Sequence, residues 1–157
     1  MDVLFLCTGN SARSILAEAL LNQRAGGRLR AHSAGSHPKG QVHPLALEVL
    51  KTCEVESTGL RSKSWDEFAA EGAPHLDVVI TVCNQAAAEA CPLWAGAPVT
   101  AHWGLPDPAA VEGSEAERLA AFANTFTALE QRIDRLLSLP LELLSAEELQ
   151  GQLRALA

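Results

Sequence analysis

The 157-residue chain contains no tyrosine and a single methionine. It also has no run of about 20 uncharged apolar residues, the length a helix needs to cross a bilayer. No basic cluster stands out, since 12 Lys and Arg face 19 Asp and Glu for a formal charge of −7. Nucleic acid and anionic membrane surfaces both need a cationic footprint and are poor partners for such a chain. A small anion is not excluded, because local backbone dipoles can hold one. Cysteine is sparse as well. Cys7, Cys53, Cys83 and Cys91 are too few and too scattered for a secreted disulfide scaffold, and they suggest chemistry or core packing. The opening Met1-Asp2-Val3 puts no basic region before its apolar run. That argues against a signal peptide and makes the cytoplasm the expected compartment. Internal repeats and linkers are absent, and 48% hydrophobic with 20% charged residues is ordinary for one globular domain.

What is present alternates between strand and helix patterns. Residues 3–6 form a short apolar run that stops at a polar loop, as a buried parallel strand does. Good helix formers follow over 15–23, ended by Gly26-Gly27. Residues 30–35 read as a second strand, and Pro44 opens a helix through Leu50. Ser64 caps a short helix over 65–68, residues 76–82 are the strongest strand, and 98–101 are a fourth. From Ser114 to about Leu139, apolar residues recur every three or four positions, predicting one long helix. Pro140 stops it, and Ser145-Ala146-Glu147-Glu148 caps a tail helix. The pattern predicts a single three-layer α/β domain, a four-stranded parallel sheet flanked by helices. Residues 1–140 form its body and 141–157 a helical extension of it. Cys53 continues the apolar pattern of 45–50 and reads as core.

The chemistry concentrates in Cys7-Thr8-Gly9-Asn10-Ser11-Ala12-Arg13-Ser14, between the first strand and the first helix. Small polar residues wrapping into a helix start turn backbone N–H groups inward and make an anion-binding cup. Arg13 closes it with a planar fork suited to two oxygens of a tetrahedral oxyanion. Cys7 then lies on its floor, where positive potential favours the thiolate, and Ser14 is able to donate to the sulfur.

This loop resembles the phosphate-binding loop of the low-molecular-weight protein tyrosine phosphatase family, and within it the arsenate reductases. The thioredoxin-coupled reductases favour Cys-Thr-Gly-Asn-Ser-Cys-Arg-Ser; here Ala12 replaces the second Cys and the other positions match. The resemblance continues through Ser33-Ala34-Gly35, through residues 77–83 and through 102–108, so it covers residues 1 to about 135. It implies that Asp107, before Pro108, is the general acid that protonates the departing oxygen. Ala109-Ala110-Val111 follow in place of the aromatic residues that sandwich a phenol in the phosphatases, so a small inorganic oxyanion is the better substrate. It also implies a relay: after arsenate bonds to Cys7, Cys83 displaces arsenite, and Cys91 carries the disulfide outward. The family pair is usually separated by six residues, whereas seven separate Cys83 from Cys91. Which of the two acts first is open from sequence.

Thioredoxin is the implied electron donor, followed by glutaredoxin or a small thiol, with no bound cofactor. Phosphate and sulfate would compete with arsenate. Some relatives hold potassium at positions matching Asn10, Glu18, Ser33 and Asp66, all retained here. The five histidines lack metal spacing; His37-Pro38 and His43-Pro44 read as turns, and His102 as a residue that orients its loop. Two other readings stay open. The same loop and acid would hydrolyse phosphate monoesters through a phosphocysteine. A non-catalytic oxyanion or redox sensor needs no acid such as Asp107.

Overall fold

A run of apolar residues with no polar alternation forms a strand covered on both faces. In the computed structural model, which describes residues 1–88, 94 and 96–157, that strand is β1 (Asp2–Cys7). It lies in one sheet with β2 (Arg30–Gly35), β3 (Val78–Thr81) and β4 (Val99–His102), in the order β2-β1-β3-β4. Each neighbouring pair is parallel, with Leu6 opposite Ala34 on one side and Thr81 on the other, and Thr81 opposite His102. The helices are α1 (Arg13–Arg24), α2 (Pro44–Thr52), α3 (Asn84–Ala88), α4 (Glu115–Leu137) and α5 (Ala146–Ala155). This is the α/β architecture that the sequence pattern predicts.

Strand alternation divides the core. Val3, Phe5 and Cys7 point into a cluster shared with buried residues of α1, α2, α4 and α5. Leu4 and Leu6 point the other way, against Ala34, Phe68, Leu76 and Val79, with Trp65 and Trp94 packed beside them. The long helix buries Phe122, Phe126, Leu129, Ile133 and Leu136 on one stripe, and Ser114 Oγ caps it by accepting the Glu117 N–H. Ser145 caps α5 in the same way, accepting from Glu148 N–H. The tail is bound to the sheet, because α5 packs on β4 and buries Leu149 and Leu153. Trp103, fully buried behind Phe5, donates its Nε1–H to Leu153 O at 2.9 Å. Burying a side chain the size of Leu153 contributes about 1.5–3 kcal/mol.

Cys53 corrects the sequence reading, for it is exposed. Its spacing from Ala46, Val49 and Leu50 matches a buried helical face, but α2 ends at Thr52. Glu54 then adopts φ 57°, Glu54 N–H donates to Lys51 O, and Val55 N–H donates to Leu50 O. This helix-ending pair of bonds turns the chain so that Val55, not Cys53, enters the core.

Chain order fixes where a ligand can bind. From β1 the chain crosses through α1 to β2 at one edge, then returns past β1 to β3 and β4. The reversal opens a crevice beyond the carboxyl ends of β1 and β3. Those two ends carry Cys7 and Cys83.

Candidate active site

The turn after β1 is shaped by bonds that pull its carbonyls outward. Thr8 O, Gly9 O and Ser11 O accept the backbone N–H groups of His37, Lys39 and His43, and Ser62 Oγ also donates to Gly9 O. Asn10 takes φ 44° and is fully buried. Its Oδ1 accepts the Lys63 N–H at 2.9 Å, and its Nδ2 donates to Ser14 Oγ at 2.8 Å and Ser33 Oγ at 3.0 Å. A left-handed residue that is not glycine costs roughly 1 kcal/mol or more, so these three side-chain bonds hold it there. Gly35 is required beside it, since a Cβ would stand 2.4 Å from Thr8 O.

With its carbonyls turned away, the loop presents N–H groups to its concave side. α1 has no side-chain cap and no acidic residue in its first turn. Its free N–H groups and dipole therefore face the cup, and an anion there would serve as the cap. Beneath the cup, Cys7 Sγ lies 2.8 Å from Ser14 Oγ. Asn10 Nδ2 donates to that same hydroxyl, which leaves the Ser14 hydrogen free to point at the sulfur.

One cavity of about 480 Å³ gathers most of the residues predicted for the cup and the reaction. Cys7 through Arg13 line it, and so do Cys83 and Asp107; Ser14 sits below Cys7. Arg13 Nη1 donates to Leu105 O at 2.9 Å, tying the cup to the loop that carries Asp107. Asp107 is exposed at the start of a short 3₁₀ turn (Pro108–Ala110), and its Oδ1 accepts the Ala109 N–H at 3.0 Å. Cys83 is buried just before α3; Ala86 N–H donates to its Sγ at 3.3 Å, and Thr8 Oγ1 lies 3.5 Å from it. Cys91 lies outside the described residues. His37 and Lys39 also line the cavity, and sequence reasoning missed them because their contribution to the cup is backbone N–H, which leaves no motif.

The four residues matched to a potassium site do not fit a cation cage. Ser33 Oγ donates to Glu18 Oε1 at 2.5 Å, so Asn10, Ser33 and Glu18 form one hydrogen-bonded chain. The neighbouring positive charge is the protein's own: Lys63 Nζ stands 3.5 Å from Glu18 Oε1 and donates to Arg61 O. Burial pushes the Lys63 ammonium below the usual lysine value, with Glu18 opposing that shift. Asp66 is exposed on the 3₁₀ turn (Trp65–Phe68). Among the described residues no group of three or more His, Cys, Asp or Glu could hold a metal ion.

His43 supports the cup from behind. Its ring lies 4.6 Å from that of Phe122, and its Nδ1 caps α2 by accepting the Leu45 N–H. Burial lowers its pKa below the ordinary 6.5; Arg118 and Lys39 push the same way, and Asp107 opposes them. No helix among the described residues is long and apolar enough to cross a membrane.

Comparison with known proteins agrees with this geometry. The chain is 34% identical over 133 residues to an arsenate reductase of Bacillus licheniformis, covering 85% of this chain and 92% of that protein. A Corynebacterium glutamicum thioredoxin-dependent arsenate reductase superposes with a TM-score of 0.58 at 29% identity, covering 85% of this chain and 61% of that one. A low molecular weight protein tyrosine phosphatase from T. tengcongensis superposes at 0.65 with 27% identity, covering 85% and 95%. The family model for low molecular weight phosphotyrosine protein phosphatase matches residues 2–153 and so reaches into α5, beyond the extent of the motif resemblance. The chain belongs to the low molecular weight phosphotyrosine protein phosphatase family.

Proposed function

We propose that this chain reduces arsenate to arsenite. The cup of residues 8–14 holds the oxyanion, with the Arg13 fork on two of its oxygens. The Cys7 thiolate attacks arsenic, and Asp107 protonates the oxygen that departs as water. Cys83 as thiolate then attacks the Cys7 sulfur. The sulfur–arsenic bond breaks with its electron pair remaining on arsenic, which leaves as arsenite, and a Cys7–Cys83 disulfide remains. Cys91 exchanges into it to give Cys83–Cys91, and thioredoxin returns both thiols to the reduced state. Glutaredoxin or a small thiol is the second choice of donor, and phosphate and sulfate compete for the cup. The expected compartment is the cytoplasm, where such a reductant is available.

The observation that carries this reading is Cys83, a second thiol lining the same cavity as Cys7. Hydrolysis of a phosphate ester needs no such thiol. The relatives named as arsenate reductases support the same substrate. Phosphatase activity is the second reading, favoured by a cup and acid that suffice for it. Ala109 lines the mouth where a phenol ring would need an aromatic wall, so that activity should be residual.

The test is arsenate-dependent NADPH oxidation with thioredoxin and thioredoxin reductase. Turnover that Cys91→Ser abolishes supports the relay and its partner. Absence of turnover with both thioredoxin and glutaredoxin, together with steady hydrolysis of a phosphate ester, overturns the reading in favour of the phosphatase.

A further inference from the structure

The end of β4 holds a hydrogen-bonded group that the chemistry above does not use. His102 Nε2 lies 2.9 Å from Asn84 Oδ1, and its Nδ1 lies 2.8 Å from Thr81 Oγ1. An amide oxygen can only accept, so Nε2 carries the hydrogen and donates it to Asn84. Thr81 ends β3, and Asn84 follows Cys83 as the first residue of α3. The imidazole thus spans the bend that carries the second cavity thiol, gripping it on both sides of Cys83.

Neighbouring residues are fitted to this bridge. Gly104 has no side chain where a Cβ would meet His102 Nε2 at 2.8 Å and Asn84 Oδ1 at 3.0 Å, so any larger residue would wedge the pair apart. Trp103 N–H donates to Thr81 O, and Leu105 N–H donates to Val82 O. The strand that carries His102 therefore runs directly into the Leu105 carbonyl that Arg13 grips. Asn84 lines the cavity beside Cys83, whereas His102 does not.

We infer that His102 is a positioning residue for the resolving thiol: through Asn84 it fixes the first turn of α3 and so holds Cys83 facing Cys7. This rests on the reductase reading. Attack of one sulfur on another requires near-linear approach at close range, and misplacement of a reacting group by about 1 Å costs on the order of a hundredfold in rate. Binding of the oxyanion and reactivity of Cys7 depend on the turn after β1, whereas the hydrogen bonds of the His102 ring go to Thr81 and Asn84. Loss of His102 should therefore separate the two halves of the reaction.

The experiment is a single turnover without external reductant, in a Cys91→Ser background so that Cys7–Cys83 is the intramolecular disulfide that can form from cavity thiols. Arsenite release and disulfide content are followed by mass spectrometry. In parallel, alkylation of Cys7 by iodoacetamide and its protection by inorganic phosphate report the cup. His102→Leu should slow disulfide formation about tenfold or more, with alkylation and phosphate protection within about twofold of the parent. His102→Gln offers an amide N–H for Asn84 and an oxygen for Thr81, and should restore most of the rate. Asn84→Ala should slow disulfide formation similarly, and the double variant with His102→Leu should be no slower than either alone. A leucine variant that forms the disulfide at the parent rate overturns the inference. So does one that loses phosphate protection in step with disulfide formation, since His102 would then be a general support of the pocket. A parent protein that releases no arsenite sinks the reductase reading, and the inference with it.

Discussion

The turns after β1 and β3 end at the same sheet edge, and each carries a buried cysteine, but they are held in different ways. In the first, three carbonyls are pinned by N–H groups of a neighbouring loop, and Asn10 is anchored by three side-chain bonds. In the second, Cys83 Sγ accepts one N–H from Ala86, Thr81 O and Val82 O accept the N–H groups of Trp103 and Leu105, and the bend is tied to β4 through the exposed His102–Asn84 pair. The difference fits the work proposed for each. An anion cup stabilises charge by donors already in place, so its backbone must be fixed before the ligand arrives. In the proposed relay Cys83 must first meet Cys7 and then leave it for another partner, which a thiol held by as many side-chain bonds as Asn10 could not do.

The largest effect should come from the first turn. Arg13→Lys removes both the two-oxygen fork and the bond to Leu105 O, and should lower kcat/KM for arsenate by about 10²–10³. A change below tenfold would mean that the backbone N–H groups alone hold the anion. The support of the second turn is tested through α5. Leu153→Ala opens a cavity beside Trp103, and should cost about 2–4 kcal/mol in urea unfolding. It should leave phosphate protection of Cys7 intact, since the cup rests on other elements.

His43 offers a pH test of the first turn. Its folded pKa is lowered from the ordinary 6.5, so the unfolded chain takes up a proton first as pH falls. The stability His43 contributes is therefore complete above pH 6.5 and is lost as pH falls from there through the folded value. Asparagine also caps helices but does not titrate. His43→Asn should thus unfold with a shallower pH dependence between about pH 7 and 5, read by denaturation at each pH. The smallest effect lies outside both turns. Glu54→Gly relieves the φ of 57° at the end of α2, and should raise stability by about 0.5–1 kcal/mol without altering turnover.

Much of this was legible in the residues themselves. The central strands β1 and β3 were readable because buried parallel strands carry apolar runs, and the caps at Ser64, Ser114 and Ser145 were readable because a hydroxyl before a helix has one common use. The first turn was legible as a motif because Cys7, Arg13 and Ser14 each have a side chain with one job in it. Its outer scaffold was not, since His37, Lys39 and His43 contribute backbone N–H groups that any non-proline residue supplies. Cys53 misled because helical spacing says nothing of where the helix stops. The Lys63 ammonium beside Glu18 was hidden for a related reason, as the two lie on separate elements and only the fold brings them together.

Cys7 and Cys83 share one cavity and, in the proposed relay, one reaction. The most direct test is to expose reduced Cys91→Ser protein to arsenate, digest it without reductant, and identify the disulfide-linked peptides. The expected result is a Cys7–Cys83 cross-link formed in step with arsenite, and neither product when Cys83→Ser is added. Arsenite formed without that link, or arsenate bound with both thiols still free, would contradict it.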